Sequence, residues 1–175
     1  RFPDDGPAFR DAAAALVLPQ GGTVLDVGCG TGRGAEALRA AVGPAGLVVG
    51  VDLTPEMLAV ATGKRRPGSF GLADVDSLPL RHLSVDGVLA AGLLPHVPSP
   101  AATLTELRRV TRPGGRLAVF HPIGRAALAA RHGRTLEPGE LLDPSVLRGV
   151  LDAAGWAVEG IDDGAARYLA LARAA

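Results

Sequence analysis

The stretch Val24-Leu25-Asp26-Val27-Gly28-Cys29-Gly30-Thr31-Gly32-Arg33 decides how the rest of this chain is read. An apolar run carrying an acidic residue passes into a loop with glycine at every second position, and a helical segment follows through about Val42. Glycine lets the backbone turn sharply and, lacking a side chain, lets a ligand lie against it. The first turn of the next helix offers free N–H groups at the same place. Asp52 stands at the end of a second apolar run, Leu47-Val48-Val49-Gly50-Val51. An acid in that position is well set to hold two ribose hydroxyls. The first half of a nucleoside-binding fold is thus readable directly.

Working outward, helix signals and apolar runs alternate. Pro7–Leu18 reads as a helix within an N-terminal segment 1–20, ended by Pro19-Gln20-Gly21-Gly22. Strands are expected at Thr23–Gly28, Leu47–Asp52, Ser69–Asp74, Val85–Ala91, Arg116–His121, Trp156–Asp162 and Ala166–Ala172. Helices are expected at Gly32–Val42, at 55–62 behind a Thr54 cap, at 100–111 behind Ser99, and at 144–154 behind Asp143. The early strands are continuous apolar runs, as in strands buried on both faces. Strand–helix repeats point to a parallel sheet covered by helices. The last two strands are joined by too short a link for a crossover and should pair antiparallel. The expectation is one α/β domain over residues 1–175, a Rossmann-like, mostly parallel seven-stranded sheet with its last strand antiparallel and helices on both faces.

Composition narrows the partners. The formal charge is zero, there is no run of like charges, and aromatic residues make up only 3%. Neither a basic face nor stacking aromatics is visible, which argues against nucleic acid. Cys29 is the only cysteine, so an intrachain disulfide is impossible and a reducing compartment fits. No apolar run reaches membrane-spanning length and no signal peptide is apparent, so no membrane partner and a cytoplasmic location are expected. No Cys/His or carboxylate cluster has metal-ligand spacing, and no metal is expected. The chain opens on Arg1, which reads as trimming or missing first residues.

These residues resemble a class I S-adenosylmethionine-dependent methyltransferase. Leu25-Asp26-Val27-Gly28-Cys29-Gly30-Thr31-Gly32 is similar to the first motif of that family, and 49–58 to its second. Leu72-Ala73-Asp74-Val75 is similar to the third, and 107–117 to the helix, Pro-Gly-Gly turn and fifth strand. Several motifs in order at the right strand ends carry far more weight than one glycine loop. A nicotinamide-binding domain is the competing reading. It places a glycine three residues after the second of its motif, where this chain has Arg33.

The resemblance implies S-adenosyl-L-methionine as donor and S-adenosyl-L-homocysteine as product. It implies that Gly28, Gly30 and Gly32 form the loop, that Asp26 helps hold the methionine end, and that Asp52 holds the ribose with Leu53 along the adenine. Asp74, in preference to Asp76, would face the adenine amino group, with Val75 packed on the ring. Cys29 reads as a small loop-filling residue, because nothing basic is placed to activate it. Ala90 and Ala91 would contact the methionine part through backbone atoms. The 90–93 segment lacks the Asn/Asp, prolines and aromatic of nucleobase amino methylases.

His121 at the end of the fifth strand and His96 beyond the fourth are the candidate general bases; His82 reads as solvated. The acceptor pocket is expected from 93–98, a lid or acceptor segment 122–143, and the N-terminal helix. Arg125, Arg131 and Arg134 either pair with an anionic acceptor or form a solvated face, the latter favoured. A small-molecule acceptor is expected, with an open site or a lid from a partner subunit such as a second copy in a homodimer. A cofactor-binding subunit without turnover, and an enzyme using the sulfonium without methyl transfer, remain alternatives.

Overall fold

The computed structural model describes residues 5–175; residues 1–4 of the expected N-terminal segment lie outside them. The chain runs α1 (Gly6–Ala15), β1 (Thr23–Val27), α2 (Ala35–Val42), β2 (Leu47–Asp52), α3 (Pro55–Gly63), β3 (Ser69–Leu72) and β4 (Val85–Ala91). It continues with a 3-10 turn (Leu94–His96), α4 (Pro100–Val110), β5 (Thr111–His121), α5 (Arg125–Arg131), α6 (Pro144–Ala153), β6 (Trp156–Asp163) and β7 (Tyr168–Ala174).

The strands form one seven-stranded sheet in the order β3-β2-β1-β4-β5-β7-β6. β1 to β5 pair in parallel, and β7 is inserted antiparallel between β5 and β6. The chain order reverses between β1 and β4. In such sheets ligands settle in the crevice at the carboxyl ends beside the reversal.

The strands alternate between two cores. Val24, Leu89, Phe120 and Leu169 face a layer with Phe9, Leu16 and Leu38 of the α1–α2 side. Leu25, Val88, Val119 and Tyr168 face the opposite layer with Leu104, Leu107, Leu147 and Leu151 of α4 and α6. Burial on both sides is why these strands read as unbroken apolar runs. Phe9 of α1 meets Phe120 edge-on, ring centroids 5.1 Å apart. Fully buried Trp156 donates its Nε1–H to the Leu104 carbonyl at 2.9 Å, tying β6 to α4.

Several boundaries differ from expectation. The fifth strand begins at Thr111: Val85 pairs with Thr111 and Gly87 with Arg116, so the Pro-Gly-Gly turn is an irregularity within the β4–β5 ladder. The third strand ends at Leu72, leaving Asp74 in the following loop. The second helix starts at Ala35, because 32–34 still belong to the glycine turn. α1 stops at Ala15, short of Leu18. The last strand is offset to 168–174, and the turn before it is longer than Asp163-Gly164. The Thr54 side chain makes no cap bond; the Thr54 amide instead donates to Asp52 Oδ1 at 2.9 Å. The Ser99 and Asp143 caps form as expected, accepting from the amides of Ala102 and Ser145. The short helix α5 had no periodic signal and was not foreseen.

Replacing Trp156 by Ala removes the largest of these buried side chains and its bond to α4. Urea unfolding of Trp156→Ala should show a loss of about 3–5 kcal/mol relative to the parent.

Candidate functional site

The carboxyl ends of β1, β2 and β4 frame a groove of ≈ 460 Å³. Its floor is the glycine loop. Gly28 and Gly30 hold φ of +63° and +52°, a left-handed conformation that side-chain-bearing residues adopt at a cost. That geometry points the Gly30 amide at Asp52, which accepts its hydrogen on Oδ2 at 2.8 Å. With Oδ1 held by Thr54, each oxygen of Asp52 carries one backbone bond and keeps further lone-pair capacity for a ligand.

Beside Asp52 the groove is apolar. Leu53 and Met57, 63% and 44% exposed, flank it, and Val75 closes the far wall. Asp74 is exposed to the groove and accepts from the Asp76 amide at 3.0 Å. Asp76 also lines the groove, its Oδ1 accepting from the Thr103 hydroxyl at 2.5 Å. The two acids that the sequence left in competition therefore have separate partners.

A smaller cavity of ≈ 220 Å³ continues past Gly28, Gly30 and Ala91 toward α1, and reaches Asp26 and Cys29. Asp26 is almost completely buried; that burial, and secondarily the charge of Asp52, push its pKa up to about 7. The Cys29 thiol is pushed up to about 12 by burial and then by Asp26 and Asp52, so it stays protonated and unreactive.

A third cavity, ≈ 720 Å³, opens at the ends of β4, β5 and β7 under α5. It shares Gly92, Leu93, His96 and Val97 with the groove. His96 is exposed at that junction. His121 is half-buried and lines both the small and the large cavity. Its Nδ1 lies 3.0 Å from the Ile123 carbonyl and 3.3 Å from the Ile123 amide. Burial lowers the His121 pKa from its ordinary value, against the smaller raising effect of the Ile123 carbonyl.

Of the site residues expected from sequence, Gly28, Gly30, Asp52, Leu53, Asp74, Val75 and Ala91 line the groove. Asp26 and Cys29 line its extension. Gly32 stands behind the loop, buried against Ala61, Arg66 and Phe70. Ala90 lies wholly in the core between β1 and β5. Sequence reasoning missed Met57 and Gly92 of the groove, Phe9 and Gly34 of the small cavity, and Tyr168 of the large one. Met57 was the legible one, an apolar residue on the helix next to Asp52. Arg125 corrects an expectation: only 6% exposed, it is enclosed by Asp163, Asp143 and Glu140 at 3.2, 3.8 and 3.9 Å. Arg131 and Arg134 are exposed, Arg134 pairing with Glu140 at 2.7 Å.

Fold and site define an α/β protein with a groove at the reversal of its parallel sheet and a second cavity adjoining it. Residues 25–119, more than half of the chain, match the family described as "Methyltransferase domain", and the chain belongs to that family. It is 32% identical over 165 residues to the O-methyltransferase cnsE of Penicillium expansum, covering 88% of this chain and 59% of that protein. Among solved structures it is similar to a SAM-dependent methyltransferase from Aquifex aeolicus, with TM-score 0.77, 23% identity, and 98% and 90% of the two chains covered. It is similar also to a chain of the complex between the Haloferax volcanii Trm112 methyltransferase activator and a methyltransferase, with TM-score 0.78, 22% identity, and 94% and 87% covered. The chain spans about a third to three fifths of the length of the curated relatives it matches. No helix among the described residues is long and apolar enough to cross a membrane.

Asp26 makes stability fall with rising pH. Between about pH 4 and 7 the native state keeps a proton on Asp26 that the unfolded chain has released, so unfolding becomes easier through that window and the loss is complete above pH 7. Urea midpoints measured at pH 4.5 and 7.5 should converge for Asp26→Asn relative to the parent.

Proposed function

We propose that this chain transfers a methyl group from S-adenosylmethionine to a small-molecule acceptor held in the large cavity. The observation that carries the reading is the junction at Gly92, Leu93, His96 and Val97, where a polar-ended groove and a larger, mainly apolar cavity meet. A donor site and an acceptor site must touch for a direct transfer.

The residues of the groove fit the donor. Asp52, oriented by two backbone amides, would hold the ribose hydroxyls. Leu53, Met57 and Val75 would flank the adenine and be covered by it, and Asp74 would accept from its amino group. Asp26 would face the methionine end, where an ammonium would favour its ionised form. When bound, the donor supplies a methyl on a sulfonium, and a neutral thioether leaves. The protein's part is mainly to align the acceptor and exclude water. Segment 122–143 walls the cavity through α5 and 140–142, and would act as its cover.

His121 is the preferred general base. It lines both cavities, and the lowered pKa keeps its imidazole uncharged at neutral pH. His96 stands across the junction and is the second candidate.

Calorimetric titration with S-adenosylmethionine and S-adenosylhomocysteine should show micromolar binding, weakened at least about tenfold in Asp52→Ala, the scale expected when charge-assisted hydrogen bonds are lost. A folded protein that binds neither would overturn the reading, and binding without methyl transfer in an acceptor screen would leave only a cofactor-binding module. For an acceptor that reacts through O–H or N–H, His121→Asn should lower kcat by about a hundredfold with little change in S-adenosylhomocysteine affinity. His96→Asn should leave most of the rate.

A further inference from the structure

The loop that follows β3 carries Asp74, Val75 and Asp76 of the groove, and helix α4 holds it through three polar side chains. Thr103, Glu106 and Arg109 are spaced three residues apart, so they lie along one side of the helix. Glu106 accepts from the Leu78 amide at 2.8 Å. Arg109 donates to the Leu78 and Leu80 carbonyls at 3.2 and 3.1 Å, and both Glu106 oxygens clamp it in turn. These two residues satisfy loop backbone that has no ladder of its own, which explains them structurally.

Thr103 is different. It is completely buried, and its single hydroxyl hydrogen goes to a side chain, Asp76 Oδ1. A helical threonine ordinarily bonds the carbonyl one turn back. Thr105 and Thr111 do so here, donating to the carbonyls of Ala101 and Leu107. Thr103 reaches across to the loop instead.

Asp76 passes that constraint to the groove. Its amide donates to Asp74 Oδ1 at 3.0 Å, while Oδ2 of Asp74 takes no protein hydrogen bond among the described residues. The Asp74 carboxylate therefore has one oxygen fixed and one open. Asp76, half-buried, is a second carboxylate at the same groove, and the Thr103 hydroxyl ties it to α4. One acid is left open to a ligand and the other is restrained. A carboxylate oxygen accepts from an amino group but opposes a carbonyl oxygen set in the same place. Sites built on such a bond reject the analogue lacking it far more sharply than apolar contact can.

We infer that Thr103 is a positioning residue for base selection: through Asp76 it fixes the open oxygen of Asp74, so that the groove takes a 6-aminopurine nucleoside and rejects its 6-oxo counterpart. This selection presupposes the proposed placement of the donor's adenine beside Asp74. Thr103 itself does not line the groove, and so acts only through the loop.

Two ligands that differ at one position of the base test it. S-adenosylhomocysteine and S-inosylhomocysteine, in which a 6-oxo group replaces the 6-amino group, are titrated calorimetrically against the parent, Thr103→Val and Thr103→Ser. The parent should bind S-adenosylhomocysteine at least about tenfold tighter, the scale of a hydrogen bond to a charged group. Thr103→Val keeps the volume and loses the hydroxyl, and should cut that ratio by about threefold or more. Thr103→Ser keeps the hydroxyl and should preserve it. Equal weakening of both ligands in Thr103→Val, or no change in either, would mean a purely structural role and overturn the inference. So would a ratio lost in Thr103→Ser as fully as in Thr103→Val. If Thr103→Val does not fold, Asp76→Ala carries the same test, because it removes the acceptor and keeps the amide that holds Asp74; an unaltered ratio there overturns the inference too. A parent that binds both ligands alike also overturns it and leaves the methyltransferase reading standing, whereas failure to bind S-adenosylhomocysteine removes both.

Discussion

The hydrogen bond from the Gly30 amide to Asp52 Oδ2, 2.8 Å long, joins the two loops on which the site is built. Beside it the Cys29 amide donates to the Val51 carbonyl at 3.0 Å, so the glycine loop continues the β1–β2 pairing after the strands themselves have ended. Without these bonds the left-handed Gly28 and Gly30 would have little to hold them, and the groove would lose its floor. The same contact turns the Asp52 carboxylate toward the open end of the sheet. Loop shape and the orientation of the carboxylate are thus set by one residue pair.

Gathering acids at this place has an energetic cost. Asp26 is buried within reach of the Asp52 charge, and its ionised form is disfavoured for both reasons. A core built for stability alone would carry an apolar residue at position 26. Retaining an acid there makes sense if a cation completes the site, because an opposite charge nearby reverses the penalty. The close fit of Gly34 supports this: a Cβ on it would lie 3.1 Å from Asp26 Oδ2, so backbone approaches the carboxylate where a larger residue would crowd it.

What the sequence made legible was whatever depends on local pattern. Unbroken apolar runs marked the doubly buried strands, the Gly28–Gly32 loop marked the end of β1, and Asp52 and Asp74, singled out in the sequence, both line the groove. What stayed hidden depends on distant contacts. Arg125 reads as one of several arginines in an apolar segment, and only the fold brings Asp163 and Asp143 around it. Ala90 looked like its neighbour Ala91, yet strand alternation turns one into the core and the other toward the groove. The Pro113-Gly114-Gly115 turn was visible, but its place inside the β4–β5 ladder follows from register, which no local signal carries.

Tyr168 shows why the large cavity was the hardest part to read. In a wholly parallel sheet every strand delivers its carboxyl end to the ligand face. Here β7 runs the other way, so its first residue, Tyr168, arrives at that face, opposite the last residue of β5, His121. β6 runs antiparallel to β7, so its own carboxyl end brings Asp163 to the same edge, opposite Tyr168 and within reach of Arg125. One strand inserted against the general direction therefore places His121, Tyr168 and Asp163, the nearest carboxylate to Arg125, side by side. These groups lie far apart in the chain and share no motif. The groove is built from loops that follow single strands and can be read in order, whereas the large cavity exists only once β7 has paired between its two neighbours.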